Sequence, residues 1–260
     1  MGLWTFMHFI TIIPTFGLLF LTAYFLRKVL LDKSLEERML PLKIVACILV
    51  SSELIKQIVS IIQGYDLYHL PLHVCSLFIY LIPLLAFYRG KHRDIINTLT
   101  GTCMMALFMF MIISPTLIYS ENSIKNCFID YLDFHTVFFH SLVIFAFFIM
   151  LSLNLIKINL NHLKYVVLAA IVYVLIASTA AQLLKTNFSN FYISNVEPIN
   201  QVVNNIKNVV GASFGQFIYV GILGILHVGF FVVSYFAYVK LNMKINNISQ
   251  LKKDTKNNIK

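Results

Sequence analysis

The sequence predicts an all-α polytopic membrane protein with seven transmembrane helices, the N-terminus outside and the C-terminus inside. Three observations carry that prediction. Hydrophobic residues make up 59% of the 260-residue chain and charged residues only 12%, about half the ~25% of a soluble domain, and the mean hydropathy is +0.80. Six stretches free of Asp, Glu, Lys and Arg are each long enough to cross a bilayer core, which takes about 20 apolar residues. Basic residues alternate between connections, sixteen on one set against three on the other, which is the asymmetry of the positive-inside rule. At this length the spans leave no room for a sizeable soluble domain, so a nucleic-acid-binding domain and a nucleotide-driven motor are excluded. The net charge of +9 follows from topology and from attraction to anionic head groups.

The run 3–26 has no basic residue ahead of it and no small-residue cleavage site, so it reads as an uncleaved span rather than a signal peptide. The second span, 44–62, contains Glu53 and Lys56, which at i and i+3 can face each other in an otherwise apolar helix. Runs 70–88, 95–120, 134–156, 165–184 and 208–239 complete the seven. Pro14 and Pro83 fall inside spans, where neighbouring helices re-satisfy the freed carbonyl. Pro71 is placed in the first turn of the third helix, where its missing N–H costs nothing. The membrane domain covers 1–243, and the Lys- and Asn-rich stretch 244–260 reads as a basic, disordered cytoplasmic tail. The expected location is the cell membrane, with multiple passes. Cys47, Cys75, Cys103 and Cys127 form no CxxC pair, so neither a disulfide framework nor a zinc knuckle is indicated. No cofactor is expected.

Ionisable groups inside a membrane are expensive and mark candidate functional positions. With the N-terminus outside, His8 lies about two turns into the first helix, and Glu53 about nine residues below the outer end of the second, at depths of roughly 9 and 13 Å. His73 and Cys75 fall in the first two turns of the third helix, and His140 two turns into the fifth. All five belong to the outer half, and the outer connections add Asp66, His69, His135 and the polar run 187–197. The inner halves carry only Cys47, Asn154 and His227. A pocket open to the outer side is the economical reading.

Within such a pocket, Cys75 with His73 or His140 supplies the ingredients of nucleophilic acyl transfer: a thiolate attacks a carbonyl, and an imidazole takes and returns the proton. Positions two apart on a helix point about 200° from each other, so His140 is a better base for Cys75 than His73. Other readings of the same residues stand beside this one. Cys75 can be a small packed hydrophobe, His8 and His140 can be interhelical hydrogen-bond links, and Glu53 with Lys56 can be a structural ion pair. His8, His73 and His140 can also form a three-histidine zinc site with an open position for water.

The run Leu70-Pro71-Leu72-His73-Val74-Cys75-Ser76 resembles the LPLHxCS signature of the YwaF-like integral membrane proteins, relatives of the eukaryotic transmembrane protein 164. Glu53 is similar to that family's second-helix glutamate, and His8 to its histidine near the N-terminus. Phe139-His140-Ser141-Leu142-Val143-Ile144 resembles its FxHGxxI segment, with Ser141 in place of Gly. Asn190-Phe191 followed by Pro198 is similar to its NY…P loop, with Phe in place of Tyr. The resemblance covers about residues 5–240. It implies a seven-helix fold and, for the eukaryotic relatives, an acyltransferase that moves a fatty acyl chain between phospholipids through a cysteine acyl-enzyme with a histidine partner. Those two residues correspond to Cys75 and His140.

The leading expectation is therefore a membrane-embedded lipid acyltransferase or acyl hydrolase acting on membrane phospholipids. Cys75 is its nucleophile and His140 its base and acid, with Glu53 and His73 as orienters, His8 in support and Asn190 as an oxyanion donor. The alternatives are a small-molecule transporter or substrate-binding membrane module, and a zinc-dependent lipid hydrolase or amidase. The absence of an internal repeat and the one-sided polar groups argue against alternating access.

Overall fold

A computed structural model describes residues 4–156, 160–194 and 196–257. Among them the structure is all-helical: α1 (Phe6–Leu30), α2 (Leu35–Ile62), α3 (Phe78–Phe87), α4 (Arg93–Ile113), α5 (Glu121–Asn126), α6 (Tyr131–Ser152), α7 (Leu163–Leu184), α8 (Glu197–Val210) and α9 (Ala212–Asn257), with short 3-10 turns between them. Six helices are long and apolar enough to cross a membrane. Their outward faces carry large exposed apolar side chains such as Phe20, Ile58, Leu175, Phe217 and Ile225, a surface suited to lipid and not to water. The chain is a polytopic membrane protein.

The helix starts follow local chemistry. Ser34 caps α2 in a reciprocal box with Glu37: its Oγ accepts the Glu37 N–H at 3.3 Å, and its own N–H donates to Glu37 Oε2 at 3.0 Å. The Asp130 carboxylate accepts the N–H groups of Leu132 and Asp133 at the start of α6. At the far end of α6 the last carbonyls are buried, and two arginines satisfy them. Arg27 donates to the Ser152 carbonyl, and Arg38 to the Leu153 carbonyl at 3.0 Å.

α6 is central, contacting α1, α2 and α4, while α9 packs along α4 and α7. The core joins Leu42, Leu49, Phe78, Ile82, Met104, Val143, Phe147 and Tyr238, all essentially inaccessible. A second apolar cluster, of Tyr173, Ala177, Ala181, Phe188 and Phe191, packs against Leu70, Leu72, Val74 and Leu77.

Three boundaries differ from the sequence expectation. The third apolar run is not a helix from Leu70. Leu70 and His73 are extended, with ψ of 140° and 155°, and helix begins only at Val74, with a 3-10 turn running into the ten-residue α3. The cause is Pro71, whose ring disfavours helix at the residue before it. The helical part rises only about 23 Å, short of the ~30 Å core. The last apolar run is divided at Gly211 (φ 89°), so 208–210 end the amphipathic α8 and the long helix starts at Ala212. Finally, the last helix does not end with its apolar run at 239, and α9 continues to Asn257. That stretch holds no Gly or Pro to stop it.

Candidate active site

A cavity of about 340 Å³ opens between α2, the extended segment before α3, and α6, and is bordered by Leu117 and Ile118 of the connection after α4. Glu53, His73, Cys75 and His140 all line it, together with Lys56, His69, His135 and Thr136. Four of the six predicted site residues therefore meet in one place, although the sequence separates Glu53 from His140 by most of three helices.

The α6 backbone places His140. Its Nδ1 lies 2.6 Å from the Thr136 carbonyl one turn back. A carbonyl only accepts, so Nδ1 carries the proton and the Nε2 lone pair is left free. Nε2 is buried and has no protein partner. The imidazole at the cavity wall is thus half-satisfied, with one nitrogen bonded and the other without a protein partner. The Tyr119 ring meets the His140 ring edge-on at 5.8 Å, and the Tyr119 hydroxyl is 3.1 Å from both the Val137 carbonyl and Ser141 Oγ. Ser141 thus helps to seat the tyrosine that walls the histidine.

Cys75 occupies the second residue of the 3-10 turn Val74–Leu77, with its sulfur against the backbone N–H groups of Cys75 and Ser76. The extended residues before it put His73 and Cys75 on the same cavity, which a regular helix would not have done. The connection between α7 and α8 holds this segment in place. Ser189 Oγ accepts the Val74 N–H at 3.1 Å and lies 2.6 Å from the Tyr173 hydroxyl, which is itself 3.2 Å from the Leu72 carbonyl. His73 is gripped from both sides: Nε2 donates to the Tyr68 carbonyl at 3.2 Å, and its ring meets those of Tyr68 and Phe188 at 4.4 and 5.5 Å.

Glu53 does not reach His140. Its Oε1 accepts from Lys56 Nζ at 2.8 Å and Gln57 Nε2 at 2.7 Å, and its Oε2 lies 3.3 Å from His135 Nε2. Lys56 and Gln57 also donate to the His69 carbonyl, so this network ties the C-terminal part of α2 to the loop before Cys75. Burial, followed by the nearby Lys56 ammonium, holds the His69 side chain below the usual histidine range. The orienting group of His140 is the Thr136 carbonyl, and both Glu53 and His73 are engaged elsewhere.

His8 stands apart from the cavity. It is fully buried, its Nε2 donates to the Tyr119 carbonyl at 2.8 Å, and its Nδ1 accepts from the Thr5 N–H at 3.1 Å and the Thr5 hydroxyl at 2.8 Å. Neither nitrogen has a lone pair to offer a metal. The three histidines His8, His73 and His140 are therefore not brought together, since the last two line the cavity and His8 does not, and among the described residues no group of three His, Cys, Asp or Glu side chains is placed to hold an ion. Asn190 does not line the cavity either. It sits at φ 66° in the clamp loop, its carbonyl accepting from the Tyr219 hydroxyl and its side chain facing Asn187. It supports the loop and presents no donor to the site. Phe191, with the ring but not the hydroxyl of Tyr, is fully buried against His227 at 4.9 Å.

His135, Ser189 and Tyr173 were not singled out as site residues from the sequence. His135 had a usable signal, since Asp130 is an N-cap residue three positions before Asp133 and puts His135 inside the helix, not in a loop. Ser189 and Tyr173 had none, because their role arises from contacts across about a hundred residues of chain. No curated protein and no solved structure matches the chain. A family model matches residues 3–235, a range that takes in every long helix but the end of the last and the run around Cys75: the chain belongs to the TMEM164 family.

Proposed function

We propose that the protein is a lipid acyltransferase or acyl hydrolase working through a Cys75 thioester, with His140 as proton acceptor and donor. The observation that carries this reading is the joint placement of Cys75 and the unpartnered Nε2 of His140 on one cavity. The lipid's ester carbonyl enters the cavity, the Cys75 thiol gives its proton to His140 Nε2, and sulfur adds to the carbonyl carbon. The tetrahedral species collapses with cleavage of the ester C–O bond, and His140 returns the proton to the departing lysolipid oxygen. A second lysolipid hydroxyl, or water, then attacks the thioester while His140 takes its proton. The C–S bond breaks and the thiol is restored. His73 and the Ser189 clamp fix the nucleophile's segment, and Thr136 fixes the tautomer of the base. Mass spectrometry of the intact protein purified from membranes tests this. A hydroxylamine-labile acyl mass on Cys75 that disappears in Cys75→Ala is expected, and its absence while lipid acyl exchange continues refutes the mechanism.

A further inference from the structure

A second cavity, of about 360 Å³, lies on the other side of the same wall, between α3, α4 and α7. Its α7 face is centred on Val166, Ala169, Ala170, Tyr173, Ile176 and Ala177, with Val172 at the margin, essentially the i, i+3, i+4, i+7 repeat of one helix side. α4 contributes Leu99, Thr102 and Cys103. The cleft exists because small side chains stand where α4 and α7 would otherwise interlock.

From Val166 to Ala177 the cleft runs about 16 Å along the helix, the depth of one leaflet of a ~30 Å hydrocarbon core. Its lining is mostly apolar, with Thr102 beside Cys103 and two tyrosines, Tyr80 and Tyr173, and the two adjacent threonines on α4 show what is unusual at Thr102. Thr98 and Thr100 each donate to the carbonyl one turn back, whereas the Thr102 hydroxyl is buried with no protein partner, a polar atom that an oxygen of a bound molecule would satisfy. The wall shared with the polar cavity is the segment before α3: Pro71, Leu72 and Leu77 line the apolar cleft, while His73, Cys75 and Ser76 line the polar one. Tyr173 joins the two, its ring in the cleft and its hydroxyl on Leu72 and Ser189.

We propose that this cleft binds one acyl chain of a membrane glycerolipid, so that the ester at its head is presented across the Pro71–Leu77 wall to Cys75. The binding of the chain stands on the cleft alone, and the fate of the ester rests on the acyl-transfer reading. Selectivity arises because a groove one leaflet deep holds a chain along its length, while the convex exposed faces of the bundle touch it only in passing.

The test is photolabelling of the full chain in phosphatidylcholine nanodiscs containing a phospholipid with a diazirine on its acyl chain. Adducts are mapped by peptide mass spectrometry. Adducts at Leu99, Cys103 and Ile176 are expected several-fold above those at Phe217 and Ile225, exposed on α9, and the excess is lost when Ala170→Trp fills the groove. Leu99→Trp, at a half-buried edge position, gives the same readout if the first variant fails to fold. Cleft adducts no more abundant than those on α9, or an excess unchanged in a folded Trp variant, overturn the proposal. Cys75→Ala separates the two readings. Cleft labelling retained in that variant, in a protein whose wild type carries no thioester, supports the cleft and removes the mechanism. A Cys75 thioester with no cleft excess removes the cleft alone.

Discussion

Ser189 permits a prediction whose size follows from two opposing features of one residue. Its hydroxyl accepts the Val74 N–H at 3.1 Å and meets the Tyr173 hydroxyl at 2.6 Å, so it caps the helix start that carries Cys75 although it comes from a distant part of the chain. Its backbone is left-handed, at φ 47° and ψ 34°, which costs a residue with a Cβ about 1–2 kcal/mol. Ser189→Ala keeps that strain and removes the cap. Tyr173 retains the Leu72 carbonyl at 3.2 Å, so the loss is essentially one orphaned N–H, about 1–2 kcal/mol. Ser189→Gly loses the same cap but relieves the left-handed strain, partly offset by glycine's greater freedom when unfolded, and is expected to be about 1 kcal/mol more stable than the Ala variant. Thermal unfolding in one fixed detergent, followed by circular dichroism, measures the order. Both variants should also change the alkylation rate of Cys75 by a small maleimide, because both release the segment that positions the sulfur. If Ser189→Ala unfolds with the wild type, or if Gly is no better than Ala, then the cap or the strain is misassigned.

Other consequences are equally direct. Gly90→Cys should be labelled only from the cytoplasmic side and Gln63→Cys only from outside, by membrane-impermeant thiol reagents in a background lacking the native cysteines; external labelling at 90 would reverse the topology. Glu53→Gln leaves the Lys56 ammonium, whose side chain is only 12% exposed, without its countercharge and should cost about 3 kcal/mol in unfolding measurements, most of it recovered by adding Lys56→Met. A double variant as unstable as the single one would refute that account. Gly101→Ala puts a Cβ into the buried Tyr238 ring where α4 crosses α9, and should destabilise by about 1–3 kcal/mol despite alanine's better helix propensity. Unchanged stability would show that the crossing has room. Cys75→Ala should abolish acyl exchange in reconstituted vesicles and His140→Ala should lower it by about 10²–10⁴-fold, with Cys47→Ala, on an exposed face of α2, as the unaffected control. Normal exchange by a folded Cys75→Ala protein would make that cysteine structural.

How far the sequence was legible depends on which force sets each feature. Apolar length marks five of the six long helices, α1, α4, α6, α7 and α9, because burial in lipid acts on every residue of a run and averages out local detail, whereas α2 also needs Glu53 and Lys56 to be read as a facing pair. The third span was misread for the converse reason: Pro71 acts on one peptide unit, and its effect on Leu70 outweighs the hydropathy of 70–73. That single local event puts His73 and Cys75 on the same cavity, so the site depends on the irregularity that hydropathy cannot register. Gly211 divides the last apolar run in the same way. Depth groups His8 with Glu53, His73, Cys75 and His140, and the last four line one cavity while His8 does not, because residues at one level of a helical bundle have few places to point but more than one. Depth could not assign partners. Glu53 had a candidate in Lys56 three residues away, but the third member, His135, comes from α6, and no spacing rule connects them.

The histidines show what must be added to depth before chemistry can be read. His8 and His140 are both buried, at 0% and 7% exposure, and both lie beside Tyr119, one at its carbonyl and the other at its ring. By burial and by neighbour they are near equivalents. Their nitrogens differ. In His8 one nitrogen donates to a carbonyl and the other accepts from Thr5, so a proton added to Nδ1 would set it against two donors. In His140 one nitrogen donates to Thr136 and the other has no protein group to meet, so a proton arriving at Nε2 breaks nothing that is already made. A general base needs that asymmetry: one nitrogen committed, to hold the ring, and one uncommitted, to act. His135 lines the same cavity and its Nε2 also makes no hydrogen bond, but that nitrogen lies 3.3 Å from Glu53 Oε2, facing a carboxylate where His140 Nε2 faces no protein group. Cavity position and an unpartnered nitrogen thus coincide at His140, and Cys75, the nucleophile we propose, lines the same cavity.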